Sequence, residues 1–350
     1  VRVATVAFDE EACGFYRVDG PAGILVAHGE VEVVSQPTLR FTVSRSSGLV
    51  VGVEDAPEVD VLVLQRPVDA RLVDSIPYYQ ASGIAVVVEL DDDLEHLPPL
   101  HSQHVFYQPR TNPTCNWRHL RRACRLADLV TVSAPVLRRY APEHSVVLPN
   151  FVPSRLLGVE VERDGLTVGW GGNLLVHHDD LDVTRGGVGK AVRERGARFL
   201  VVGPGEDVQR RLGLDGEPEA TGVVSFSDYA TAVARLDVGI APLASNVFNS
   251  AKSRIKPLEY AALGVVPVAS GLPEYRALAS YLDFRVVEDR GRSWRREVHA
   301  ALDMVQHGYG EELRERVRES FVLEDNAWRW LEAWELAREN HGKQHVARVA

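Results

Sequence analysis

The feature that most constrains this chain is a repeated alternation. Short, continuously apolar runs end in polar residues or glycine, and a stretch with helical spacing follows each one. "VDVLVLQRP" and "GIAVVVELDDD" are apolar at successive rather than alternate positions. Such runs suit strands buried on both faces of a parallel sheet. "VRVATVAF" reads as an opening strand, with Gly14 in the loop after it. "PAGILVAHG" reads as a helix between Pro21 and Gly29. "ADLVTVSAPVLRRYA" repeats the unit, with Ser133 as the expected N-cap, and "SVVLPNFVP" adds a strand. The rhythm then restarts: strand "LTVGWGGN", helix "GVGKAVRERG", strand "ARFLVVGPG", helix "SDYATAVARLD", strand "VGIAPLA", a further helix, strand "VVPVAS". This pattern predicts an α/β protein with two Rossmann-like, doubly wound lobes facing a cleft, residues 1–152 and 153–320. The tail 321–340 places Trp330, Trp334 and Ala337 at helical spacing, as expected of a final helix packed on the body.

No apolar run approaches the ~18 residues of a membrane span, and the first residues read as a strand rather than a secretion signal. Three cysteines, Cys13, Cys115 and Cys124, form neither a zinc pattern nor an even disulfide set. A reducing cytoplasm is the expected location. The net charge of −10 argues against indiscriminate nucleic-acid binding. Lysine occurs four times, at 190, 252, 256 and 343, and two of these fall within one short stretch.

That stretch is "FNSAKSRIKPLEYAALGVVPVAS", Phe248 to Ser270. Ser250 or Ser253 is expected to cap a helix that runs to Leu263, and Gly264 to stop it. A helix N-terminus carries exposed N–H groups and about half a positive charge. Lys252, Arg254 and Lys256 add to that field, an arrangement that selects an anion, most simply phosphate. Glu259 lies about two turns in and can accept hydrogen bonds from sugar hydroxyls of the same ligand. The alternative is a solvated basic helix start with Glu259 paired to Lys256 or Arg254.

The stretch resembles the donor-site signature of retaining GT-B-fold glycosyltransferases, the group 1 family of glycogen, sucrose and mannosyl transferases. The family form is a Glu, seven residues, a second Glu, then A-x-x-G-x-P-V-x-A-S. "LEYAALGVVPVAS" is similar to its second half, and "FN-x-x-KS-x-IK-x-LEYAALG" resembles a bacterial and phage subgroup. "GFYRVDGPA", "VVVELDDDL", "VVLPNFV", "VGWGGNLLVHHDDL" and "LDVGIAPL" resemble further family segments in the family's order. The resemblance implies an acceptor-binding N-lobe, a donor-binding C-lobe and a final helix returning to the N-lobe. It implies sugar transfer from a nucleotide-diphosphate sugar, a UDP-sugar favoured, with retention, no cofactor and no metal. Lys252 and Arg254 would stabilise the leaving diphosphate. Ser253, Arg254 and Ile255 would cradle it, Glu259 would hold the ribose, and Asn249 would lie beside the sugar. Gly171, Gly172, Asn173 and His177 or His178 would line the donor site. The chain departs from the pattern at Ala251, which stands where the family has its first Glu. A nucleotide-sugar epimerase of the same fold and a catalytically silent nucleotide-sugar-binding protein are therefore the alternatives.

On the acceptor side the resemblance suggests Gly14, Tyr16, Arg17 and Asp92. "ELDDDLEH" also resembles acidic metal motifs, and an acceptor-orienting or structural role is preferred for it. The segment "HSQHVFYQPRTNPTCNWRHLRRACRLAD" is strongly basic. Trp117, Leu120, Cys124 and Ala127 form an apolar stripe, with Arg118, Arg122 and Arg125 on the opposite face. His101, His104, Arg118 and Arg122 are its candidate acceptor contacts. A carbohydrate or other small acceptor is favoured, with a hydroxylated DNA base or a virion protein as alternatives.

Overall fold

Fourteen strands are seen among the described residues, and twelve of them make two parallel six-stranded sheets. The structure is a computed structural model that describes residues 1–174, 179–288 and 290–349. The chain divides into two units: Val1–Pro99, Gln103–Asn150 and Leu323–Ala350 form the first, and Leu100–Ser102 and Phe151–Val322 the second.

The first unit contains β1 (Arg2–Val6), β2 (Glu32–Ser35), β5 (Val61–Gln65), β6 (Ala85–Leu90), β7 (Leu129–Val132) and β8 (Ser145–Val147). They are ordered β2-β1-β5-β6-β7-β8, with every pairing parallel. All residues of β5, β6 and β7 are buried, the physical counterpart of their unbroken apolar runs. An antiparallel pair, β3 (Arg40–Val43) and β4 (Val50–Glu54), stands apart from this sheet. The helices of this unit include α1 (Gly20–Ala27), α2 (Ala70–Ala81) and α3 (Trp117–Leu126). Pro21 occupies the first turn of α1, and Gly29 follows it with φ +72°. Asp69 caps α2 by accepting from the N–H groups of Arg71 and Leu72, both at 2.9 Å. Ser133 does not cap a helix. A 3-10 turn, Pro135–Tyr140, follows β7, and Ser133 Oγ donates to the carbonyl of Asp91.

The second unit contains β9 (Thr167–Gly171), β10 (Arg198–Val202), β11 (Glu219–Ala220), β12 (Val238–Ala241), β13 (Val266–Ser270) and β14 (Arg285–Val287). Their order is β11-β10-β9-β12-β13-β14, again parallel. Its longer helices are α4 (Gly187–Arg195), α5 (Phe226–Ala234), α6 (Ile255–Ala262), α7 (Pro273–Leu282), α8 (Gly291–Gln306) and α9 (Tyr309–Ser320). The chain leaves β9 towards β10 and later returns to β9's other side as β12. The carboxyl ends of β9 and β12 therefore flank a topological switch point, where open α/β sheets bind ligands.

The final helix, α10 (Trp328–Val349), packs on β6 and β7 of the first unit. Trp330, Trp334 and Ala337 are buried along it, as their spacing predicts. Trp330 Nε1 donates to the carbonyl of Arg17 at 2.9 Å. No described helix is long and apolar enough to cross a membrane.

Candidate functional site

The basic stretch sits at the switch point of the second unit. After β12 the chain forms a 3-10 turn, Asn249–Ala251, and then enters α6. The turn is held by a residue that the sequence did not single out. Asp180 Oδ1 accepts from Asn249 Nδ2 at 2.8 Å and from the N–H of Ala244 at 2.7 Å. Asn249 Nδ2 also donates to the carbonyl of Ala244 at 2.9 Å. Asn249 is thus buried as a loop clasp, with its amide nitrogen already engaged. The one sequence signal for Asp180 is the acidic pair that ends the glycine-loop segment.

The expected serine caps are corrected. Arg254 occupies the N-cap position of α6 and makes no side-chain cap bond. Ser250 Oγ instead donates to the carbonyl of Val247. Gly264 follows the helix with φ +67°, the left-handed conformation expected of its stop. Lys252, Ser253, Arg254 and Ile255 are all half-buried at the helix entrance. Lys252 Nζ lies 4.3 Å over the ring of Phe248, and Arg254 Nε lies 3.9 Å from Glu274. Ala251, at the position of the family's first Glu, is fully buried. Glu259 is 8% exposed, and its charge reaches Lys256, Tyr229, Tyr260 and Tyr275.

Across the switch point, the glycines after β9 and β10 are required by close approach. Gly172 has φ +133°, and a Cβ there would lie 2.7 Å from Lys256 Nζ and 2.9 Å from the Trp170 ring. Gly203 has φ +117°, and a Cβ there would lie 1.8 Å from the Gly172 carbonyl oxygen. α6 holds Gly171 through both of its backbone polar groups. Its N–H donates to Tyr260 Oη at 2.9 Å, and its carbonyl accepts from Lys256 Nζ. Lys256 and Tyr260 are one helical turn apart, so they project from the same face. Asn173 is exposed beside this loop. His177 and His178 lie outside the described residues.

Burial dominates the electrostatics here. It lowers Lys256 to about 8, with Lys252 adding to the shift and Glu259 and Asp180 opposing it. Burial also raises Tyr229, Tyr260 and Tyr275, and the Glu259 charge pushes each further. The site therefore joins a basic helix entrance, the buried carboxylate of Glu259 and closely approached backbone. That combination suits a ligand carrying both anionic and hydroxyl groups.

The residues expected on the acceptor side have the following surroundings. Arg17 is fully buried. Its Nε donates to Glu89 at 2.7 Å, and its Nη1 to Asn150 Oδ1 at 2.7 Å and to the carbonyl of Leu148 at 2.5 Å. Tyr16 is buried beside it. A Cβ on Gly14 would lie 1.9 Å from the Asp9 carbonyl oxygen, so this glycine serves the backbone turn. Asp92 lies 3.4 Å from Arg66, which also binds Asp91 and carries a left-handed φ of +48°. His104 Nδ1 bonds with the carbonyl of Leu97. His101 belongs to the second unit and packs edge-on against Phe248 at 5.5 Å. Arg118 is exposed over Trp117, whereas Arg122 is paired with Asp74. Asp93, Glu95 and His96 bring possible metal-ligand atoms within 4.8 Å of one another. Asp93 is already engaged by Arg139 and, at 2.6 Å, by the Tyr140 hydroxyl.

Residues 165–283 match the family model described as Glycosyl transferases group 1. No curated protein matches the chain. Among solved structures, Anabaena HepE in complex with UDP superposes with a TM-score of 0.60 at 16% identity, covering 96% of this chain and 100% of its own. A glycosyltransferase from Rickettsia africae gives 0.62 at 11% identity, covering 96% and 98%. Sucrose-phosphate synthase from Thermosynechococcus elongatus gives 0.60 at 12% identity, covering 95% and 98%. At such identities the likeness is one of fold. Residues 165–283, which hold the Gly171–Gly172 loop and all of α6, are thus similar to group 1 glycosyl transferases, and the chain shares the GT-B fold of these solved structures.

Proposed function

We propose that the protein transfers a sugar from a nucleotide-diphosphate sugar, a UDP-sugar favoured, to an acceptor hydroxyl with retention at the anomeric carbon. The observation that carries this reading is the convergence of the α6 entrance, buried Glu259 and the Gly171–Gly172 loop at one switch point. HepE, of like fold, was solved with UDP. In this reading Lys252 and the head of α6 offset the charge that develops on the leaving diphosphate. Arg254 contributes its peptide at the cap and a second positive charge. Glu259 holds the ribose. The departing phosphate helps deprotonate the acceptor, and the scheme calls for no metal.

The test is release of nucleotide from UDP-, GDP- and ADP-sugars, with and without excess chelator. Turnover that persists in chelator supports the scheme as a whole. Complete loss in chelator, restored by manganese or magnesium, overturns the metal-free step and turns attention to Asp91, Asp92 and Asp93. A second reading, nucleotide-sugar binding without turnover, is favoured by buried Ala251 in place of the family carboxylate. Calorimetric binding of UDP with no nucleotide release from any sugar would establish it.

A further inference from the structure

Lys256 is neither at the entrance surface with Lys252 nor in a surface ion pair. It is partly buried beneath the glycine loop. Its Nζ lies 4.6 Å over the ring of Trp170, itself 2% exposed, and donates to the carbonyl of Gly171. A Cβ on Gly172 would reach the same Nζ at 2.7 Å. The loop thus lies directly against the ammonium, and a side chain at residue 172 would have to displace Lys256 Nζ or the Trp170 ring. The opposite side of the loop is equally confined by Gly203. The position of the Gly171–Gly172 peptide therefore depends on what Lys256 does.

We propose that Lys256 is the positioning residue of this site: its ammonium, held between Trp170 and the Gly171 carbonyl, sets the glycine loop, and anion capture at the head of α6 requires that ammonium to be charged. This rests on the reading that the site binds a nucleotide diphosphate. An aromatic face and a carbonyl both favour a cation over a neutral amine. Burial works against them, and the lysine titrates at about 8 rather than 10.5. The charged groups that act on it are Glu259 from α6 itself, Lys252 from the loop before α6, and Asp180 from the segment after β9. The hydroxyl of Tyr260, one turn along, is committed to Gly171 and to the carbonyl of Ile240 at 3.2 Å.

The experiment uses the full chain with UDP as probe, by calorimetry at pH 7 and pH 9. One unit above its pKa, about a tenth of the lysine stays charged. Wild-type affinity should therefore fall about tenfold between the two pH values. Lys256→Arg, which keeps the charge, should show no such fall. Lys256→Met should bind UDP about tenfold more weakly at pH 7 and likewise lose the pH dependence. Identical pH profiles for wild type and Lys256→Met would overturn the proposal.

A ligand-free arm separates this outcome from failure of the nucleotide reading. With only four lysines in the chain, carbon-13 lysine spectra resolve each one, and Lys256→Met identifies its signal. That signal should titrate near 8. If UDP does not bind at any pH, the nucleotide reading fails, and the part of the proposal that concerns anion capture fails with it. A Lys256 signal that titrates near the ordinary lysine value of 10.5 overturns the proposal whatever UDP does.

Discussion

The hydroxyl of Tyr260 accepts the N–H of Gly171 at 2.9 Å, and four residues earlier on the same helix Lys256 donates to the carbonyl of that glycine. Both backbone polar groups of one residue are thereby held by one face of α6. Tyr260 also donates to the carbonyl of Ile240, at the end of the neighbouring strand. The helix whose N-terminus forms the basic entrance thus also fixes the strand ends on either side of the switch point. Binding and loop position share their supports, and the consequences can be measured.

Glu259→Ala should weaken UDP binding while the fold survives. A charge-assisted hydrogen bond is worth about 1.5–3 kcal/mol, or roughly 10- to 100-fold in affinity. Calorimetry on a variant with native circular dichroism checks this. Unchanged affinity would remove Glu259 from the ribose.

Gly203→Ala should strain the loop from the far side, because its Cβ would meet the Gly172 carbonyl at 1.8 Å and φ is +117°. A cost of about 1–3 kcal/mol is expected, together with weaker UDP binding. Gly216→Ala is the control, since a Cβ there meets nothing within 4 Å. Denaturant unfolding of both variants should separate them clearly.

Arg17→Met should act on stability. Removing one member of a buried ion pair leaves Glu89 uncompensated and costs about 3–5 kcal/mol. Adding Glu89→Leu to that variant should recover part of the loss, because two apolar side chains replace two buried charges. A stable Arg17→Met protein that had lost only acceptor use would return Arg17 to the acceptor site.

The exposed arginines of α3 give the acceptor test. Arg122 is already paired with Asp74, so Arg118 and Arg125 are the pair to reverse. If the acceptor is a polyanion, Arg118→Glu/Arg125→Glu should abolish transfer yet spare donor hydrolysis, and wild-type transfer should fall steeply with salt. A neutral sugar acceptor predicts normal transfer by the variant and little salt dependence. Labelled UDP-sugar at low and high salt distinguishes the two outcomes.

The sequence by itself determined the layered α/β architecture. Strands buried on both faces read as largely apolar at successive positions, and β5, β6, β7, β9, β12 and β13 are buried throughout over four to six residues each. The helical spacing of Trp330, Trp334 and Ala337 placed the last helix in the same way. The basic entrance of α6 was legible because a helix start and its charges are close in sequence. Weakly patterned elements were not: β3 and β4 are partly exposed, and Pro77 interrupts the pattern of α2. What only the tertiary structure decided were the partners of charged side chains. Lys256 finds Gly171 across 85 residues, Asn249 finds Asp180 across 69, and Arg17 finds Glu89 across 72. Periodicity reports which face of an element avoids water. It carries no information about which distant group will meet a buried charge, because that follows from the order in which strands return to the sheet.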